Sequence, residues 1–405
     1  MSVRRKGPKA TVVRVLTYTL LVGVAVVVIF PFVVALSTST KRPDDIFTYP
    51  PSLIPKQPVT VPAEMLGLEG DPLPVYEFID RSGQYALVDT DVPLAEFRPL
   101  DDATRTITLA ADAGDKTGAT VSVDVDGTME DKPVFLIDVD GQQIEAYRSR
   151  LTVGGLFQSV DDSTDTVLSL VNTPTPAREF GPRLENFSEV VTEKQLGRSL
   201  TNTLLVTMAV VGGQILTSIL GGYAFARIQF KGRSGLFLMY LGSVMIPFVV
   251  LIIPLFQLML QLNWRDNLAA LIVPFTFSAY GTFLMRQFFI GIPKEIEEAA
   301  LIDGASRSRI LWKVMVPLAR PAIATLATFG FLYAWNSFFW PLVIINSGNP
   351  ESKVLSLTLS TLGGRSSTDT NLVFAGAIIA MTPPILVFLF AQRYFVENSA
   401  SSGMK

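Results

Sequence analysis

The chain of 405 residues contains no cysteine and no histidine. The first absence excludes disulfide frameworks, thiolate metal sites and cysteine nucleophiles. The second removes imidazole metal sites, histidine-based triads and the usual general base near neutral pH. Charge is scarce as well. Asp, Glu, Lys and Arg make up 17% of residues, against about 25% in a soluble domain. Hydrophobic residues reach 49% and mean hydropathy is +0.40, which excludes disorder as the main state and points to a chain largely in lipid. No catalytic residue and no metal ligand is expected, and the chain should not itself be an enzyme.

The net charge of −3 conceals an asymmetry. Residues 38–198 carry 28 acidic and 14 basic side chains, a balance of −14, while the remainder stands at +11. An acidic soluble block is embedded in a basic, apolar frame. No long basic stripe is present, so no nucleic-acid partner is expected.

A bilayer core is crossed by a helix of about 20 apolar residues. Six stretches qualify: 15–37, then about 200–226, 236–260, 268–290, 319–345 and 372–394. The first is too long for a signal peptide and lacks a clear small-residue cleavage site, so it reads as an uncleaved span. Pro31, Pro247, Pro254, Pro274, Pro341, Pro383 and Pro384 fall within these stretches, as simple kinks or as part of a bundle that opens a passage. Basic residues gather at the N-terminus (Arg4, Arg5, Lys6, Lys9, Arg14) and after the second stretch (Arg227, Lys231, Arg233). More follow the fourth (Arg286, Lys294, Arg307, Arg309, Lys313, Arg320), with Arg393 and Lys405 in the tail. The two short opposite connections hold only Arg265, then Lys353 and Arg365. By the positive-inside rule, residues 1–14, the C-terminus and both basic connections face the cytoplasm, and residues 38–198 lie outside the membrane.

The acidic block alternates polar and apolar residues between turn signals, as in VYEFID, QYALVD, TRTITLA and PVFLIDVDG. Period-2 runs of this kind predict short antiparallel strands in a small sandwich or barrel, about 57–181. Asp124–Gly127 and Asp138–Gly141 both read Asp-Val-Asp-Gly. Neither has EF-hand ligand spacing, and hairpin turns are the expected reading. Ala113–Thr117 (AGDKT) lacks the full G-x-x-x-x-G-K-[ST] pattern, so no phosphate loop is assigned.

The most informative segment lies between the fourth and fifth stretches, IPKEIEEAALIDGASRSRILWKVMVPLARPA from Ile292 to Ala322. Pro293 suits the N1 position of a helix, and Glu295, Glu297 and Glu298 suit its positive end. Ile296, Ala300 and Asp303 share one face. Gly304 can end this helix and Ser306 can cap the next. The outcome is a helix–turn–helix elbow over about 293–313 on the membrane surface, resting on lipid or docked in a groove of another protein.

Glu298-Ala299-Ala300, followed by Gly304 and Pro317, matches the EAA signature of bacterial ABC-importer permeases. The wider run resembles their carbohydrate-uptake, MalG-like branch. STSTKRPDDIF (Ser37 to Phe47), LTNTLLVTMAVV, YAFARIQFKGR, YAWNSFFWPLVI and MTPPILVFLFAQRYFV are similar to that branch as well. The resemblance covers residues 1–56 and about 182–405. The β-rich block sits between two halves of what is a short external stretch in that family, and the tail SSGMK departs from the family's Gly-rich ending.

The resemblance implies an all-α polytopic fold of six transmembrane helices in a bacterial or archaeal cytoplasmic (inner) membrane. To this the alternating runs add the β-rich extracytoplasmic insert about 57–181, on which the family says little. It implies a second permease subunit, two ATPase subunits and an extracytoplasmic solute-binding protein as partners, besides the lipid bilayer. ATP and Mg2+ would be held by the ATPase subunits and no cofactor by this chain. Glu298, Ala299, Ala300, Asp303, Gly304 and Pro317 would form the ATPase-coupling segment. Trp335, Asn336, Ser337 and Tyr280 are candidates for the translocation pathway, because aromatic faces and amides hold sugars and intramembrane polar groups often face a cavity. Asn336 has the alternative of bonding to a neighbouring helix. The polar loop from Asn346 to Asn371 either meets the binding protein or is simply solvated. The expected function is import of a di- or oligosaccharide or related polyol. The alternatives are a permease for a non-sugar solute and a membrane-anchored adhesion or assembly protein acting through its acidic β domain.

Overall fold

The computed structural model of the protein describes residues 8–125, 128–139, 141–346, 349–364 and 369–402. Arg4, Arg5, Lys6, Arg365 and Lys405 lie outside these residues, as do Asp126, Gly127 and Asp140 of the two Asp-Val-Asp-Gly segments. The chain divides into two compact units, Met1–Pro55 with Arg183–Lys405, and Lys56–Pro182.

The first unit is helical, because a helix satisfies every backbone group of an apolar run from within. It begins with α1 (Pro8–Ser39) and α2 (Pro43–Ile46) and resumes with α3 (Glu185–Thr192) and α4 (Leu196–Arg227). Then come α5 (Arg233–Gly242), α6 (Phe248–Gln261), α7 (Ala269–Ile272) and α8 (Ala279–Gly291). After α9 (Lys294–Ile302), α10 (Arg307–Ile310) and α11 (Val316–Leu318) the chain enters α12 (Arg320–Trp335). It closes with α13 (Phe339–Ile344), α14 (Leu355–Gly363) and α15 (Thr370–Ser402).

Among the described residues, four stretches are long and apolar enough to cross a membrane singly: Val12–Ser39, Leu196–Arg227, Ala269–Gly291 and Thr370–Gln392. Two more qualify only as bent pairs, Arg233–Met245 with Phe248–Gln261 at 97° and Arg307–Leu318 with Arg320–Trp335 at 78°. Of the stretches expected at 236–260 and 319–345, whose prolines left kinking open, neither is one continuous helix. The 97° bend falls inside the first, while the 78° bend lies at Ala319, at the start of the second, which is interrupted again between α12 and α13. The first breaks before Pro247, which has no N–H to continue the ladder and leaves Ile246 extended. The second stops at Trp335, where the Asn336 amide turns back onto the Leu332 carbonyl at 2.8 Å. In an unbroken helix the ring of Pro341 would collide with the carbonyl of Ser337. Here that carbonyl instead accepts a hydrogen bond from Ser356 Oγ at 2.8 Å.

The helix α4 packs against both α8 and α12. Gly213, Gly221 and Gly222 face Thr276, Thr282 and Met285, and small residues at such a seam let backbones approach closely. Thr203 and Thr217 return their hydroxyls to carbonyls one turn back, at 2.9 Å each, so neither hydroxyl is left without a partner in an apolar setting. At the other end a buried Asn186 amide donates to the carbonyls of Ser39 (2.8 Å) and Lys41 (2.9 Å), and accepts from Asn371 Nδ2 (3.0 Å). That one side chain ties the end of α1 to the starts of α3 and α15.

The second unit is β-rich, with one 3-10 turn at Ala63–Leu66. Its strands are β1 (Lys56–Pro58), β2 (Thr60–Val61), β3 (Leu73–Glu77), β4 (Gln84–Pro99) and β5 (Ile107–Ala110). They continue with β6 (Asp115–Val125), β7 (Thr128–Val139), β8 (Gln142–Ser159), β9 (Thr166–Ser169), β10 (Thr175–Pro176) and β11 (Arg178–Phe180). Nine strands form one antiparallel sheet in the order β10-β3-β4-β8-β7-β6, with β2, β5 and β9 added to β3, β4 and β8. Alternate residues turn inward, as period 2 requires. Ala95, Phe97, Phe135, Ile137 and Ala146 form one apolar cluster, and Tyr85, Leu87, Phe157 and Val167 a second. Irregularities in the β4–β8 ladder between Leu87 and Val92 separate the two along β4. At the β7–β8 turn, Asp138 Oδ1 accepts the Gly141 N–H at 2.9 Å, with Gly141 at φ +81°.

The sheet unit is entered and left through a stem, in which β1 pairs with β11 and Lys56 lies opposite Phe180. Paired antiparallel residues are only about 5 Å apart. Excision of residues 57–181 with a short Gly-Ser joint is therefore expected to leave a helical unit that inserts and melts as the full chain does, and residues 56–182 alone should fold in solution. Aggregation of either piece, read by size-exclusion chromatography and circular dichroism, would refute the independence of the two units.

Candidate functional site

The elbow from α9 to α11 is built by strong local signals. Pro293 is the N-cap of α9, one position earlier than a first-turn proline. Gly304 sits at φ +76° in the left-handed region, where Gly carries no Cβ penalty. Its N–H donates to Leu301 O and the N–H of Ala305 donates to Ala300 O, both at 3.0 Å. This paired pattern is a Schellman stop, which satisfies the orphan carbonyls at the helix end. Ser306 Oγ then accepts the Arg309 N–H and starts α10. A π-helical turn, Leu311–Met315, follows and leads into α11, which contains Pro317.

One side of the elbow is packed. Ile310, Leu311 and Met315 join Tyr223 of α4, Met285 and Phe289 of α8, and Leu326 of α12 in a buried cluster, with Ala300 and Ala305 against it. The other side is open. Glu298, Ala299, Asp303 and Gly304 are exposed, and Pro317 is half-buried. Beside them Ile302 is 87% exposed, with Leu301 and Trp312 also uncovered. Of the three residues expected to share a face, Ala300 turns to the core, while Ile296 and Asp303 remain exposed.

Beneath the open face lies a polar centre that pattern reading passed over. Glu297, adjacent to the signature glutamate, is only 7% exposed. Its Oε1 accepts from Tyr223 Oη at 3.0 Å and lies 3.4 Å from Arg307 Nη1, and its Oε2 lies 3.6 Å from Arg227 Nε. Arg227 Nη2 also donates to the carbonyls of Phe289, at 2.6 Å, and Ile292. The sequence held one signal for this centre: Tyr223 and Arg227 stand four apart on one face at the end of an apolar run.

The pathway candidates are spread over three cavities. Trp335 and Asn336 line one of about 340 Å³ with Phe32, Met381 and Pro384. The Trp335 indole is buried, donates to Ala380 O at 3.0 Å and stacks on Phe331. Ser337 lines an enclosed space of about 30 Å³ with Thr203 and Trp340. Tyr280 lines the largest of the three, about 580 Å³, together with Gln214, Phe277, Phe329 and Tyr333. Gln214 and Tyr333 were legible only as isolated polar groups in apolar runs.

At the opposite end of the helices, residues 349–364 are anchored. Asp266 accepts from the Asn346 N–H (3.1 Å), Asn349 Nδ2 (2.8 Å) and Ser352 Oγ (2.7 Å). Asn202 Nδ2 donates to the carbonyls of Glu351 (2.8 Å) and Lys353 (2.9 Å). Burial alone would push the Asp266 carboxyl up, but these hydrogen bonds and the neighbouring Arg265 outweigh it and hold it below the usual carboxylate range.

Residues 215–398 match the family described as "Binding-protein-dependent transport system inner membrane component". The arabinooligosaccharides transport system permease protein AraQ of Halalkalibacterium halodurans is 36% identical over 223 residues, 55% of this chain and 79% of that protein. The sn-glycerol-3-phosphate transport system permease protein UgpE of Rhizobium meliloti is 34% identical over 255 residues, covering 61% and 90%. Among solved structures, a bacterial ABC transporter involved in import of the acidic polysaccharide alginate aligns with a TM-score of 0.47 at 27% identity, covering 55% of this chain and 82% of that one. The chain belongs to the family of binding-protein-dependent transport system inner membrane components, as an ABC permease of the carbohydrate-uptake kind.

Proposed function

We propose that this chain is one of two permease subunits of an importer for an oligosaccharide or related polyol, driven by ATP and Mg2+ on two partner ATPase subunits and fed by a solute-binding protein. The observation that carries the coupling role is the Schellman-capped elbow, rigid on its packed side and bearing Glu298, Ala299 and an 87%-exposed Ile302 on the open one. An exposed apolar residue beside acidic ones on a short, fixed helix suits insertion into a cleft of another protein. ATP would have to favour one of two helix packings over the other for the solute gate to move. In this reading the elbow and both termini face the cytoplasm, and residues 38–198 face outward.

The substrate class is supported by the cavity of about 580 Å³, within the usual range for small-molecule sites. Tyr280, Phe329 and Tyr333 offer aromatic faces and Gln214 an amide, the chemistry that suits sugar rings and hydroxyls. Among its described lining residues there is no Lys or Arg, which disfavours a phosphorylated solute. Proteoliposomes containing the assembled transporter are expected to take up arabinotriose or cellobiose, and not glycerol 3-phosphate, when supplied with ATP. Exchange of Tyr280 and Tyr333 together for alanine is expected to cut that uptake about tenfold or more, by loss of aromatic contact and hydrogen bonding. Uptake of glycerol 3-phosphate alone would replace the sugar reading.

A further inference from the structure

Building on the importer reading, we propose that Glu297 is a positioning residue, a pin through which force on the elbow reaches α4 and the solute cavity. The covalent chain joins α9 only to α8 on one side and, through α10 and α11, to α12 on the other. Nothing covalent joins it to α4. Glu297 supplies that link, to Tyr223 and Arg227 on successive turns of α4. Successive helical residues are rotated by about 100°, so Glu297 points inward where Glu298 points out.

The Arg227 guanidinium makes the joint three-way. While its Nε faces the Glu297 carboxylate, its Nη2 holds the Phe289 carbonyl at the end of α8 and the Ile292 carbonyl just beyond. A planar fork spreads its donors over Nε and Nη2 and so faces a carboxylate and two carbonyls at once, whereas a lysine offers a single nitrogen. The Nε–Oε2 separation of 3.6 Å is an ion-pair contact rather than a hydrogen bond, so the joint can tighten as the elbow is pressed. From Arg227, α4 runs unbroken to Gln214, a span of about 20 Å at 1.5 Å per residue. Gln214 lines the cavity and donates to the Phe275 carbonyl at 2.9 Å. A push on the elbow therefore has a rigid route to the solute.

The test uses the complete transporter in proteoliposomes, with arabinotriose as the probe and solute moved per ATP hydrolysed as the readout. Glu297→Gln, which keeps shape and removes charge, is expected to lower that ratio about tenfold, within the usual span of coupling effects. Glu297→Asp is expected to recover part of the loss. Adding Arg227→Gln to Glu297→Gln should lower the ratio no further than Arg227→Gln alone, because both act through one contact. An unchanged ratio in Glu297→Gln, or additive losses, overturns the pin and leaves the importer reading standing. ATP-independent behaviour of the unaltered complex overturns both. If Glu297→Gln does not assemble, Tyr223→Phe, which removes only the hydroxyl that donates to Glu297, takes its place. The ratio should then fall while the complex stays intact, and an unchanged ratio overturns the proposal.

Discussion

Gly222→Val is expected to melt about 10 °C below the unaltered chain. A Cβ at residue 222 would fall 2.6 Å from the Met285 Cβ, 2.9 Å from the Arg286 nitrogen and 3.1 Å from the Met285 carbonyl carbon. These are backbone atoms and a Cβ of α8, so no rotamer change can relieve the overlap. The helices α4 and α8 would have to separate along their length. That would open the Gly213–Thr276 and Gly221–Thr282 contacts and pull Arg227 from the end of α8. Overpacking at a site with no slack costs roughly 3 kcal/mol or more, which lowers melting by about 10 °C for a unit of this size. Gly212→Val is the control. It lies in the same helix, and its added Cβ would meet nothing within 4 Å. Equal melting temperatures of the two variants in detergent would show that the seam is not tight.

Gly304→Leu is expected to reduce ATP-driven uptake about tenfold or more while the amount of inserted protein changes little. The φ of +76° costs a residue with a Cβ about 1–2 kcal/mol, and no atom lies within 4 Å of the added Cβ. The harm is therefore confined to the helix stop. The chain would leave the left-handed region, the two 3.0 Å Schellman bonds would open, and the face bearing Glu298 and Ile302 would turn away from its docking angle. Gly304→Asn separates backbone from bulk, since Asn tolerates this conformation. It should transport nearly as the unaltered chain does. Normal uptake by the Leu variant would show that the elbow carries no coupling.

The elbow was readable because its signals are local. Pro293, Gly304 and Ser306 act on their own backbone neighbours; Gly304 and Ser306 stand where they were expected, and Pro293 falls one position early, at the N-cap. The strands of the β unit were readable for a similar reason, since the alternation of Ala95, Glu96 and Phe97 reports directly which face is buried, although Tyr85, Ala86 and Leu87 are buried in succession. The pathway residues were not. Trp335 and Tyr280 look alike in sequence as aromatic groups in apolar runs. One is packed into Phe331 and bonded to Ala380, and the other lines the largest of the three cavities.

What sequence alone determined was the set of apolar runs, the acidic β-rich insertion and the capped elbow with its permease signature. These follow from hydropathy, period and backbone preference, which act over a few residues. Tertiary structure alone decided that Glu297 rather than Glu298 turns inward, and that Arg227, seventy positions away, receives it. It also decided that the third and fifth apolar stretches break instead of running straight, and that Asp266 fastens Asn346, Asn349 and Ser352. Each of these depends on which chain segments become neighbours, and no local preference encodes the partner of a buried charge.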